Sequence, residues 1–174
     1  MGYDAALAWA DGLVYGGFDD WRLHRTDQFD ATCNHTNMVW DDTVDGAEGI
    51  SYGYPCTGNE LAHLYYVSLE LEFLDGMFSS SLALELFTNL QSQYYWSETK
   101  IDAVGWEFAN DDVFIFDIYN GAVDPRTSAT TYSHYAWAVR DGDVVTASVP
   151  APPTLALLLI PALLMVAVRR NRLS

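Results

Sequence analysis

The chain has 174 residues, a net charge of −16 at pH 7, and an aromatic complement of 6 Trp, 11 Tyr and 8 Phe. Ahead of Pro150, all 24 acidic residues face only five bases, Arg22, Arg25, Lys100, Arg126 and Arg140, so the body lacks the basic footprint that nucleic acid demands. So many aromatic residues exclude a disordered chain, and the stretch before the C-terminal tail is long enough for one domain with its own core.

In chain order, Asp4 is placed to cap a first helix in which Ala6, Trp9, Ala10 and Leu13 share a face. Gly16-Gly17 ends it, and Phe18 to Leu23 reads as a turn leading into a short strand. Residues 24–58 are polar and rich in Gly and Asn, a loop by composition. Glu60 to Leu71 reads as a second helix, with Leu61, Leu64, Tyr65 and Ser68 on one side. Phe78 to Ser92 fits no single pattern. Strands are expected from Tyr94 to Glu98, from Val104 to Ala109, and from Val113 to Tyr119, the last running into a hairpin turn at Asn120-Gly121. Tyr135, Trp137 and Val139 alternate with Ala136, Ala138 and Arg140 before a turn at Asp141-Gly142. Two early helices followed by an antiparallel sheet predict an α+β fold.

The C-terminus is different in kind. Val149-Pro150-Ala151-Pro152-Pro153 leads into an apolar run from Leu155 to Val168 without a charge, closed by Arg169, Arg170 and Arg172. As a helix, residues 151–168 span about 27 Å, a short but adequate crossing of a bilayer core roughly 30 Å thick. Pro161 should kink it, and the arginines favour the cytoplasmic side, which places the body on the other. This tail resembles a PEP-CTERM sorting signal, the tag read by exosortases in Gram-negative bacteria, with Ala151 where the usual motif has Glu. The resemblance implies an exosortase-type enzyme and the membrane as partners. It also implies an inner-membrane-anchored precursor with an extracytoplasmic body, handed on to the cell surface or secreted after sorting. Such tags accompany an N-terminal signal peptide. Met1-Gly-Tyr-Asp4 has no basic n-region and no apolar run follows it, so a leader is expected upstream of Met1.

Cys33 and Cys56 are the two cysteines. In an exported protein such a pair suits a disulfide, the alternative being two free thiols. A second resemblance covers the body from about Tyr3 to Val144. Tyr15-Gly-Gly-Phe-Asp-Asp-Trp-Arg-Leu23, Cys56-Thr-Gly-Asn-Glu-Leu-Ala-His-Leu-Tyr-Tyr66, Phe87 to Ser97 and Tyr135 to Asp143 are similar to segments of the DUF1566 family, the Lcl C-terminal domain. The family commonly continues W-R-L-P-T, where this chain has His24-Arg25-Thr26. The likeness implies a C-type-lectin-like, formylglycine-generating-enzyme-like fold. The expected organisation is then a DUF1566-like domain over 1–146, a Pro-rich linker with the sorting motif over 147–154, a transmembrane helix over 155–168 and a basic cytoplasmic tail over 169–174.

Fold likeness carries no function, so the candidate sites must be weighed residue by residue. Asp19-Asp20-Trp21-Arg22 is either a binding loop or a structural turn with Arg22 paired to a carboxylate and Trp21 in the core. Asp41, Asp42, Asp45 and Glu48 are weak candidates for a calcium loop, but the spacing is not that of an EF-hand and a solvated acidic loop fits as well. No lectin calcium motif, G-x-S-x-G, H-E-x-x-H or P-loop is present. Glu70 and Glu72, two apart on a helix, would not share a face. The formylglycine-generating enzymes use cysteines late in the domain, and Cys33 and Cys56 are early. Tyr94, Tyr95 and Trp96 could stack on sugar rings or build the core. No catalytic residue, metal site or cofactor is implied. The expectation is a non-enzymatic exported surface protein engaged in adhesion or exopolysaccharide-matrix interaction, with polysaccharide or protein as ligand. The alternative is an enzyme of unknown activity on a lectin-like fold.

Overall fold

The computed structural model describes residues 1–37, 49–101, 111–129 and 131–142. These form an α+β body of short helices and antiparallel strands within one unit, Met1–Asp141. The segments expected to hold the strand Val104 to Ala109, the acidic loop, the sorting motif, the apolar run and the basic tail lie outside the described residues. Among the described residues, no helix is long and apolar enough to cross a membrane.

The first helix, α1, spans Tyr3–Asp11, where Ala5, Ala6, Leu7, Ala8 and Ala10 supply strong helix formers. Its N-cap is Gly2 rather than Asp4, which lies inside the first turn. Its C-terminus is closed by Gly12, whose N–H donates to Ala8 O at 3.1 Å. The buried face is Tyr3, Ala6 and Ala10, while Trp9 is 40% exposed. The expected face was therefore rotated: Tyr3 is large enough to anchor the contact, and Leu13 lies beyond the last helical turn.

The second helix, α2, begins at Glu60 and runs to His63, and its last turn widens into a π-helical turn over Leu64–Ser68. Its start is capped by Asn59, whose side-chain oxygen accepts from Leu61 N at 2.9 Å and Ala62 N at 3.0 Å. The helix stops short of Leu71, because Glu70 takes φ +53° and turns the chain. Phe78 to Ser92, ambiguous by pattern, contains the end of a 3₁₀ turn at Met77–Ser79 and a short helix, α3, at Ser81–Leu86, capped by the Ser80 hydroxyl.

The strands are β1 (Arg22–Leu23), β2 (Cys33–Asn37), β3 (Ile50–Pro55), β4 (Tyr94–Lys100), β5 (Asp112–Asp117), β6 (Ala122–Ser128) and β7 (Ala138–Val139). A five-stranded sheet has the order β2-β3-β6-β5-β4, and β1 pairs with β7 in a separate two-stranded sheet. The composition of residues 24–58 concealed two strands. β2 reads Cys-Asn-His-Thr-Asn without apolar alternation, and in β3 the alternation of Ile50, Tyr52 and Tyr54 is masked by the loop-forming residues Gly53 and Pro55. Each is specified instead by its partner, with His35 opposite Tyr52 and their rings stacked at 5.3 Å.

Strand β5 is buried along its whole length. Phe114, Phe116 and Ile118 face a cluster built on Leu61, Ala62 and Tyr65 of the α2 region. Val113 and Ile115 face the opposite cluster, made by Tyr3, Ala6 and Ala10 of α1 with Leu23 and Trp96. The sheet is thus covered on both faces near its centre, which explains the unbroken apolar run Val-Phe-Ile-Phe. Each large side chain so buried contributes about 1.5–3 kcal/mol. Tyr95 and Trp96 belong to this interior, at 4% and 0% exposure, whereas Tyr94 is exposed.

Candidate functional site

One side of the body carries an open cleft of about 420 Å³ with aromatic walls. One wall comes from α1 and the segment that follows it. Trp9 projects from α1, and Tyr15 sits on a tight turn closed by Tyr15 N to Phe18 O at 3.0 Å and Phe18 N to Tyr15 O at 3.1 Å. Gly16 and Gly17 take φ +64° and +85°, values that side-chain-bearing residues rarely adopt, so the Gly-Gly pair is what permits this turn. The Trp21 indole N–H donates to Tyr15 O at 3.3 Å and Phe18 O at 3.2 Å, which fixes Trp21 edge-on to Tyr15.

The other wall comes from the segment after α3 and from the approach to β7. Trp137 packs edge-on against Phe87 at 4.8 Å and against Tyr95 at 5.6 Å. Tyr95 is held from behind, its hydroxyl accepting from Gln91 N at 2.8 Å, and burial raises its pKa. Thr88 and Asn89 stand exposed at the rim. Among the described residues, the lining contains no carboxylate, ammonium, guanidinium, imidazole or thiol.

Charge lies around this cleft rather than in it. Arg140 forms a two-point ion pair with Asp20, both contacts at 2.9 Å, and its guanidinium lies 3.7 Å from the centre of the Phe18 ring. The hydrogen bonds from Arg140 hold the Asp20 carboxyl below its usual range. Arg22 grips Glu60 at 2.7 and 2.8 Å and also pairs with Asp141. Burial alone would raise the Glu60 pKa, but the Arg22 hydrogen bonds and the Arg25 N–H outweigh it and the net shift is downward. In the Asp19–Arg22 stretch, Asp20 and Arg22 are thus committed to structural ion pairs, and Trp21 is half-buried at the cleft rather than in the core.

Below Arg22 lies a fully buried histidine. His24 has no hydrogen-bond partner at either ring nitrogen, and burial pushes its pKa down to about 3. Beside it runs a satisfied polar chain: Asn59 donates to the Thr26 hydroxyl at 2.7 Å, which donates to the Ser97 hydroxyl at 3.0 Å, which donates to His24 O at 3.1 Å. A second cavity of about 320 Å³ is lined by Leu7, Asp11, Trp21, Arg22 and Glu98 among others, but its arginine is committed to Glu60 and Asp141.

Cys33 and Cys56 are joined in a disulfide with Cα atoms 4.2 Å apart, pinning β2 to the loop before α2. They are also the described residues nearest to a metal-like grouping, together with Asp30. Both sulfurs are bonded to one another, and the Asp30 carboxylate accepts from Thr32 N, the Thr32 hydroxyl and Gly58 N, so the group is a structural knot. Asp41, Asp42, Asp45 and Glu48 lie outside the described residues. So do the sorting-motif residues Val149, Pro150, Ala151 and Pro152 and the arginines Arg169, Arg170 and Arg172. Glu70 and Glu72 sit in the turns after α2, where Glu72 N donates to Asp75 Oδ2.

Trp9, Tyr15, Phe87 and Trp137 were not singled out together by sequence pattern, because they come from opposite ends of the body. The available signal was the Tyr15-Gly-Gly-Phe18 turn, which forces an aromatic residue out of the fold. Compared with family models, with curated proteins and with solved structures, the chain matches none.

Proposed function

We propose that this is a non-enzymatic, exported surface protein whose body binds polysaccharide through the aromatic cleft. The observation that carries the reading is the makeup of that cleft: Trp9, Tyr15 and Trp137 supply aromatic surface, and among the described residues no Asp, Glu, His, Cys or Lys lines it. Apolar walls with a few neutral polar groups are the usual chemistry of a binding pocket. The resemblance of Tyr15–Leu23, Cys56–Tyr66 and Phe87–Ser97 to DUF1566 (Lcl C-terminal) segments supports a lectin-like version of the α+β fold. The resemblance of Val149–Pro152, the apolar run and the arginines to a PEP-CTERM tag supports sorting by an exosortase-type enzyme to the cell surface or its exopolysaccharide.

The test is retention by polysaccharide. The full chain, held in a sugar-free polyoxyethylene detergent, should be slowed in native gels containing soluble exopolysaccharide. The variant combining Trp9→Ala with Tyr15→Ala should migrate freely while keeping the circular dichroism of the parent. Equal retardation of parent and variant would overturn the cleft as the site. Fractionation of cells carrying the chain with and without residues 149–174 tests the sorting role, which fails if the truncated form is still held at the envelope.

A further inference from the structure

We infer that the cleft selects uncharged glycans and rejects anionic ones, a conclusion that rests on the binding function proposed above and names its ligand class. Envelope polysaccharides fall into two chemical groups, neutral chains and chains carrying uronate or other acidic substituents. The cleft is fitted to the first by three independent features.

The first is its lining. An acidic sugar seated on Trp9, Tyr15 and Trp137 would surrender part of the hydration of its carboxylate and meet no cation in return, since among the described residues no Lys, Arg or His lines the cleft. An ionised group moved out of water without a partner is strongly disfavoured.

The second is the state of the nearest cations. Arg140 is bound at two points to Asp20 and stacked on Phe18, and Arg22 is held by Glu60 and Asp141. Neither can turn to an incoming carboxylate without leaving its own. The remaining field has the wrong sign for an anion, because acids outnumber bases 24 to 8 in the chain.

The third is positive rather than exclusionary. The indole N–H groups of Trp9 and Trp137, the Tyr15 and Thr88 hydroxyls and the Asn89 amide form no hydrogen bond with another described residue, and all five residues border the cleft. They are neutral donors and acceptors set at the edges of ring faces. That combination suits a sugar, whose C–H faces stack while its equatorial hydroxyls exchange hydrogen bonds. A quaternary ammonium would also sit over such rings, but it has no use for the N–H and O–H donors.

The experiment titrates the full chain, in the same sugar-free detergent, with three neutral polymers (laminarin, dextran and galactomannan), with alginate as the uronate polymer, and with phosphocholine. Tryptophan fluorescence reports binding, at low and at high salt. We expect at least one neutral polymer to bind with an affinity about tenfold or more above that of alginate and to be insensitive to salt. That binding should be lost in the Trp9→Ala, Tyr15→Ala variant and weakened in Asn89→Ala, whose side chain is exposed and outside the core. Alginate or phosphocholine binding as tightly as the neutral polymers, and lost in the same variants, overturns this inference while leaving the cleft as a binding site. No cleft-dependent binding to any polymer overturns the inference and the proposed function together.

Discussion

Arg22 and Glu60 lie 38 residues apart in the chain and meet as a two-point pair, with guanidinium nitrogens 2.7 and 2.8 Å from the two carboxylate oxygens. The same carboxylate accepts the Arg25 N–H at 2.7 Å. The pair therefore ties β1 to the first turn of α2, where a carboxylate also complements the helix dipole. Its geometry requires a planar fork. Arg22→Lys should cost about 1 kcal/mol of unfolding free energy in urea, since an ammonium cannot make both contacts. Arg25→Ala should cost about 0.5 kcal/mol or less, because its single contact to Glu98 is 3.4 Å long and exposed. The assignment fails if the two variants are equally destabilised.

The disulfide closes a loop between residues 23 apart, and the chain-entropy argument assigns it about 3 kcal/mol. Reducing it, or replacing both cysteines by serine, should lower the urea midpoint accordingly. Mass spectrometry of unreduced protein should give a mass short by two hydrogens. Two alkylatable thiols in that sample would contradict the bridge.

Acid should destabilise the body through His24 before the carboxylates respond. Its folded pKa is depressed from the usual 6.5 to about 3, so the fold holds the neutral ring. The stabilisation is fully present above about 6.5 and is lost as pH falls through the window down to about 3, at roughly 1.4 kcal/mol per pH unit. His24→Phe, of similar volume and uncharged, should flatten the pH dependence of stability between about pH 6 and pH 5. An unchanged slope in that variant would show that another group titrates there.

Arg140→Ala should loosen the cleft without unfolding the body. It removes the two contacts to Asp20 and the guanidinium from the Phe18 ring, both of which brace the turn carrying Tyr15. Retention by polysaccharide should fall several-fold while Tm moves by no more than a few degrees. A large drop in Tm would place Arg140 in the global fold instead.

Gly121→Ala should cost about 2 kcal/mol or more. Gly121 takes φ +82°, its carbonyl accepts the Tyr66 hydroxyl at 3.0 Å, and a methyl group there would enter the space of the Tyr65 and Tyr66 rings. Thermal melts of Gly121→Ala beside Gly142→Ala, at φ +108° with open space around it, separate crowding from backbone strain.

The sequence was most informative where one residue type has one physical use. Asn120-Gly121 announced a turn and formed one, and the apolar run beginning at Val113 became β5, an interior strand, because only a strand covered on both faces can hide it. The Asn59-Glu60 start of α2 was legible in the helix pattern that follows it. Strands β2 and β3 were not, since β2 is polar throughout and β3 carries Gly53, at φ +94°, and Pro55, residues that read as loop. Trp9 shares a helical stripe with the buried Ala6 and Ala10 yet is 40% exposed, because helical periodicity identifies a stripe but not the edge at which packing stops. The cleft was beyond local pattern altogether. Tyr15 and Trp137 meet through tertiary pairing of residues over a hundred positions apart, and no window of sequence contains both.

The two-residue ladder of β1 with β7 has a mechanical consequence. Arg22 faces Val139 and Leu23 faces Ala138, and Arg22 also holds Asp141. Tension applied to the chain beyond Asp141 is borne first by these few bonds, and an antiparallel ladder loaded from its end unzips one rung at a time. Trp137 is the next residue inward. A pull strong enough to lift β7 would therefore swing away one aromatic wall while the five-stranded sheet and the disulfide stayed intact, so a load on that side would open the cleft well before the body unfolded.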